Sequence, residues 1–205
     1  MKQLPIGFTA IVILLMSGIS GIGDSAPPYG FDCLKGVDLW EQVQGNWGIT
    51  NGVMRHEPAG FDKIAILATN SVHVPSWYDV TVRAGGLSNA QERTVAIVFG
   101  YQSKDDYWVC LFEGGDRQAT VGLRHMLKGL ATMAADVPVV RELSDTITLQ
   151  LQLMHSEDTY MTVMVEHHLV LKFRIPVALP RRLGIMAHSS NVHIDGYKIS
   201  GIAKR

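Results

Sequence analysis

The run Ile147-Thr148-Leu149-Gln150-Leu151-Gln152-Leu153 decides the fold. Apolar side chains fill every odd position and polar ones every even position, the period of a strand with one face on a core and the other in water. A helix needs apolar residues both three and four apart, and this run has none three apart. Toward the C-terminus, residues 160–165 and 169–175 form a hairpin around Glu166-His167-His168, and residues 183–187 and 192–200 close the chain. Toward the N-terminus, Tyr78-Asp79-Val80-Thr81-Val82-Arg83-Ala84 alternates as cleanly, and Pro75 keeps the segment before it out of the ladder. Further up, residues 46–50 and 52–56 meet at Asn51-Gly52, a pair suited to a two-residue hairpin turn, and residues 64–69 follow.

The centre is more apolar. Residues 94–101 and 107–113 flank a polar turn at 102–106, and the run Val95-Ala96-Ile97-Val98-Phe99 predicts strands covered on both faces, or on one face and half of the other. Gly114-Gly115-Asp116 turns the chain into residues 117–125. Residues 126–135, interrupted by Gly129, fit a helix or a strand. About a dozen short strands are too many for one open sheet and predict an all-β fold of two packed antiparallel sheets.

Lys plus Arg number 18 and Asp plus Glu 19, for a net charge of -1, so there is no electrostatic footprint for nucleic acid. The apolar share of 47% against 18% charged places the chain among globular proteins. Lys2 precedes a charge-free apolar run from residue 4 to 23 that ends at Asp24, the pattern of a secretory signal. The expectation is a signal peptide over residues 1–26 and a single β-sandwich domain over 27–205. The mature chain would then have no membrane span and would lie in the periplasm, in the cell envelope or outside the cell. An uncleaved N-terminal anchor is the alternative, since the run nears the ~20 residues of a membrane span. Cys33 and Cys110 either form a disulfide, as an exported chain permits, or are two small buried hydrophobes.

The order of features resembles the concanavalin A-like lectin/glucanase jelly roll, in particular its laminin-G-like and 3-keto-disaccharide hydrolase-like branches. The matching pieces are Trp47-Gly48-Ile49 through Asn51-Gly52-Val53-Met54, then Tyr78-Asp79-Val80, then Phe99-Gly100-Tyr101 with Asp106-Tyr107-Trp108. The 147–153, 160–165 and 169–173 segments and the closing Gly184-Ile185 and Ile194-Asp195-Gly196-Tyr197 complete the likeness over most of residues 40–201. Gly100 stands where many relatives carry arginine, and Glu166-His167-His168 replaces their usual Asp-Gly turn. The resemblance implies a two-sheet jelly-roll sandwich and a binding role for a glycan or a surface protein. Its hydrolase-like branch implies glycoside processing instead, and an envelope structural or protein-interaction role is a third reading.

Glycan-cleaving relatives place carboxylates two to four positions apart on one strand, because an acid and a nucleophile must flank the scissile bond. That motif is missing here, which leaves only cross-strand pairs such as Glu113 with Asp79. Nucleophile-elbow, phosphate-loop and dinucleotide signatures are absent too. The adjacent His167 and His168 would point to opposite faces of a strand, and His188 with His193 lacks an evident third ligand, so no metal site is expected. Turn aspartates Asp105, Asp106 and Asp116 read as turn chemistry, with a calcium ion as the alternative that the laminin-G-like resemblance raises. Glycan recognition combines aromatic faces with planar polar groups. Tyr101 and Trp108, with Gln118, Arg124 and His125 on the next strand, are the candidate ligand residues; core filling is the competing reading for Trp108. Trp40, Trp47 and Trp77 read as sheet-edge packing.

Overall fold

In the computed structural model, residues 29–32, 34, 40–56, 63–67, 76–87, 93–114, 119–139, 145–188 and 192–201 are described. The predicted leader, Cys33, Asp116 and Gln118 lie outside them. The described residues form fifteen strands. These are β1 (Tyr29–Asp32), β2 (Trp40–Gln44), β3 (Trp47–Thr50), β4 (Val53–His56), β5 (Lys63–Leu67), β6 (Trp77–Gly85), β7 (Arg93–Ser103) and β8 (Asp106–Gly114). They continue as β9 (Ala119–Leu127), β10 (Leu130–Val139), β11 (Ile147–His155), β12 (Thr159–Val165), β13 (His168–Ile175), β14 (Leu183–His188) and β15 (His193–Gly201). The first sheet runs β13-β12-β11-β6-β15-β4-β3, with β1 also pairing β15, and the second runs β10-β9-β8-β7-β14-β5-β2. The fold is an antiparallel two-sheet sandwich, with no helix among the described residues long and apolar enough to cross a membrane.

Strand parity builds the interior. Ile147, Leu149, Leu151 and Leu153 on β11 and Tyr78, Val80, Val82 and Ala84 on β6 are all buried, while Thr148, Gln150 and Gln152 stay partly in water. On β15 the phase changes between Ile194 and Tyr197, both fully buried. A bulge there drops Asp195 out of the ladder, and its carboxylate pairs with Arg83 at 2.7 Å. The continuous apolar run on β7 is covered on both faces. Val95, Ile97 and Phe99 enter the inter-sheet core. Ala96 and Val98 join Tyr101, Tyr107, Val109, Leu111 and Met186 in a second cluster on the outer face of the second sheet.

Three hairpins turn through two residues with positive φ: Asn51-Gly52, Lys128-Gly129 and Glu166-His167. The second settles residues 126–135, where Leu130, Met133 and the neighbouring alanines are good helix formers overridden by pairing of β10 with β9. The third places Glu166 and His167 in the turn and His168 at the first position of β13, so the turn expected at Glu166-His167-His168 is one residue shorter. Glu166 compensates locally, its Oε1 accepting from Thr148 N–H at 2.8 Å. Cys110 carries a free, fully buried thiol that burial pushes up to about 12.

The crossover from β13 to β14 is tied down by a buried polar group. Thr159, the one buried polar side chain among the described residues, donates to Val177 O at 3.1 Å and accepts from Leu179 N–H at 3.2 Å. Beside it, the Tyr78 hydroxyl lies 3.0 Å from His155 Nε2, with the two rings stacked at 5.4 Å. Burial, then the Arg181 charge, holds the His155 imidazole down to about 4, against a hydrogen bond to the Leu179 backbone that favours the protonated ring.

Leu151→Ala is expected to cost ~2–5 kcal/mol in urea unfolding, whereas the neighbouring Gln150→Ala, on the wet face, should stay within about 0.5 kcal/mol of the wild type. An unfolded histidine titrates near 6.5. Between that pH and about 4 the unfolded chain therefore binds a proton at His155 that the folded chain refuses. Stability present above 6.5 should be lost as pH falls through this window and level off below it. His155→Gln should show a shallower decline in thermal midpoint over the same window.

Candidate functional site

The residues singled out from the sequence do not converge. Trp108 on β8 stands directly opposite His125 on β9, their rings stacked at 4.6 Å and 4°, and His125 Nε2 lies 2.9 Å from Asp106 Oδ1. Trp108 is only 8% exposed and sits in the inter-sheet core near Phe99. Arg124 is adjacent to His125 on an extended strand and so faces the other way. On the outer face its guanidinium reaches Glu113 Oε2 at 3.0 Å and Asp136 Oδ1 at 3.6 Å. Tyr101 is buried on that same outer face, covered by the Arg182 guanidinium at 4.9 Å, which in turn pairs with Glu41 at 2.7 Å. Gly100 causes this placement. At φ +60 it lets β7 set three residues against one of β8 between the Phe99–Trp108 and Ser103–Asp106 pairs, and the bulge swings Tyr101 outward. Stacking on a ligand requires an open ring face, and neither Tyr101 nor Trp108 offers one.

The other sequence candidates also separate. Glu113 lies on the outer face of the second sheet and Asp79 on the outer face of the first, so the whole sandwich stands between them and they cannot flank one bond. Asp106 is engaged by His125, and Asp105 sits in the β7–β8 turn with its N–H donating to Ser103 Oγ. The His193 ring lies over Gly85, where an added Cβ would come within 2.7 Å of Nε2. Among the described residues no three metal-ligating side chains cluster.

The structure instead brings together a set that the sequence reading passed over. On the outer face of the first sheet, ladder pairing aligns Trp77 with Met154, Met154 with Tyr160 and Tyr160 with Arg174 across four neighbouring strands. Trp77, Met154 and Tyr160 are 41%, 42% and 39% exposed, and no other aromatic among the described residues belongs to the exposed apolar set. Single exposed hydrophobics are ordinary, but a contiguous row of them marks a contact surface. Arg174 is clamped by Asp158, with Nε to Oδ2 at 2.7 Å, and lies 5.9 Å from the Tyr160 ring centroid.

The next row, two residues along each strand, is polar: Ser200, Asp79, Gln152, Thr162 and Lys172 stand opposite one another in turn. Burial raises the Asp79 carboxyl above the usual carboxylate range, opposed by a hydrogen bond from the Gln152 side chain. Its Oδ1 is buried without a hydrogen-bond partner, an orphan acceptor at the edge of the aromatic row. One signal in the sequence pointed here. Trp77 has the opposite parity to Tyr78, Val80, Val82 and Ala84, so once those face the core, Trp77 must face out.

No family model and no curated protein matches the sequence. Solved structures do. A carbohydrate-binding module CBM66 from Bacillus subtilis aligns with a TM-score of 0.62 at 12% identity, over 78% of this chain and 94% of that one. The carbohydrate recognition domain of Emp47p aligns with a TM-score of 0.58 at 11% identity, over 85% and 96%. A legume lectin-like domain from Entamoeba histolytica gives 0.54 at 12% identity, over 80% and 89%. The chain is similar to these along nearly their whole lengths, and its fold is the concanavalin A-like jelly-roll sandwich.

Proposed function

We propose that this chain is an exported, non-catalytic glycan-binding domain whose reading surface is the Trp77–Met154–Tyr160–Arg174 row with the polar row beside it. The observation that carries the reading is that the two exposed aromatic rings fall in one register line of one sheet face. Sugars present apolar C–H faces to aromatic rings and hydroxyls to planar polar groups. Trp77 and Tyr160 stand two strands apart, about 10 Å at ordinary strand spacing, a separation suited to neighbouring sugar rings on a chain. Met154 fills the interval with a flexible side chain that adapts to either. The polar row lies roughly 7 Å away along the strands, close enough for Gln152, Thr162 and Lys172 to meet hydroxyls at the rim of a stacked sugar.

The fold shared with carbohydrate-binding modules and lectin domains supports this class of ligand. The missing carboxylate motif and the separation of Glu113 from Asp79 support binding without turnover. The N-terminal apolar run supports export, with residues 1–26 removed and residues 27–205 as the working domain.

A glycan array followed by calorimetric titration of the full chain tests the reading. Trp77→Ala and Tyr160→Ala should each weaken the selected oligosaccharide by ~10-fold or more, about 1.4 kcal/mol, with melting temperatures close to the wild type because both rings are exposed. Tyr101→Phe, at a buried ring, should leave affinity unchanged. Chelation of calcium should also leave it unchanged, since stacking and hydroxyl contacts need no cation. Equal affinity in wild type, Trp77→Ala and Tyr160→Ala would remove this face from the function, and release of cleaved sugar would replace binding by catalysis.

A further inference from the structure

The tip of a hairpin faces water and ordinarily carries polar side chains. The β9–β10 hairpin departs from this. Leu127 and Leu130 stand directly opposite one another across the Lys128-Gly129 turn and are 43% and 72% exposed. Met133, three residues on, is 62% exposed. Successive strand residues face opposite ways, yet Leu130, Ala131, Thr132 and Met133 are all exposed. Neither face of this end of β10 therefore rests on a core. The tip is nonetheless held in place, since Lys128 N–H donates to Asp105 O at 2.6 Å in the β7–β8 turn. Lys128 is the one charged residue from 126 to 135. On the neighbouring turn Lys104 offsets Asp105, and Asp106 is engaged by His125.

We propose that this tip anchors the protein at a membrane interface, with Leu127, Leu130 and Met133 entering the lipid and Lys128 meeting anionic headgroups. Two observations favour a bilayer over a protein as the occupant. The apolar side chains leave the hairpin on both of its faces. A protein surface would cover one face, whereas lipid surrounds an inserted tip on all sides. The patch is also small. A stable protein interface takes roughly 20 residues on each side, and here three large apolar side chains project. A few apolar side chains beside a cation suit reversible binding at an anionic interface. A lysine at the apex is compatible with insertion, because its methylene stem lies in the apolar layer while its ammonium reaches phosphate.

The tip belongs to the second sheet and the Trp77 row to the outer face of the first, so the anchor stands whether or not that row reads glycans. Three side chains hold a protein only weakly. Their effect is on orientation more than on residence: the β7–β8 and β9–β10 turns face the lipid, and the strands run away from it.

The apolar run over residues 4–23 can hold the full chain on a vesicle by itself, so the readout belongs on the tip. Leu130→Trp places an indole there, and its emission is read as the difference from the wild type. On vesicles of phosphatidylethanolamine and brominated phosphatidylglycerol that emission should shift to the blue and be quenched. Leu169→Trp, at a 51% exposed position on the first sheet, should show neither change. Adding Lys128→Glu to Leu130→Trp should lower the partition of the tip into these vesicles by about 5-fold, the weight of roughly one cation at an anionic surface. Vesicles of brominated phosphatidylcholine alone should likewise quench it less. An unquenched position 130, or quenching at 169 as strong as at 130, would overturn the inference and leave the tip to a protein partner. Quenching at 130 that is unchanged by Lys128→Glu and equal on phosphatidylcholine would overturn the assignment to anionic lipid.

Discussion

Tyr78, Val80 and Val82 of β6 and Leu149, Leu151 and Leu153 of β11 stand in register on one face of the first sheet. Across from them the second sheet contributes Val95, Ile97, Phe99, Cys110 and Phe112. Everything else in the molecule is arranged around the burial of these two faces against one another. Each large aliphatic or aromatic side chain that leaves water here contributes on the order of 1.5–3 kcal/mol. That burial fixes which residues are left to face outward. A strand has two faces only, so choosing the core side chains also chooses the display side chains.

Much of the architecture was legible for that reason. The alternation on β11 and β6 reads directly as half-buried strands, and Asn51-Gly52 reads as a tight turn. The unbroken apolar run on β7 reads as doubly covered, which the two clusters on either side of that strand bear out. Other parts were opaque for physical reasons. β1 and β2 are short and carry no clean alternation, so pattern alone does not reveal them. β10 is built from residues that also favour helices, and only its ladder to β9 decides the matter.

The site was less legible than the fold. Tyr101, Trp108, Arg124 and His125 are near one another in sequence, and sequence proximity stood in for spatial convergence. Period two divides Arg124 from His125, and the Gly100 bulge divides Tyr101 from Trp108. The exposed row draws Trp77, Met154, Tyr160 and Arg174 from four strands spread over about half of the chain. Its members are related by register alone, and register between strands is a property of the assembled sheet.

One feature of the topology reaches into the life history of the polypeptide. β15, the last strand among the described residues, lies between β6 on one side and β4 and β1 on the other, with Tyr29 opposite Gly201. The first sheet is thus a row with an interior member missing until residues 193–201 emerge from the ribosome. Pairings of such long sequence separation form slowly, since loop closure precedes any reward from contact. A nascent chain lacking that segment cannot close the first sheet, so the final packing of the sandwich waits on its last strand.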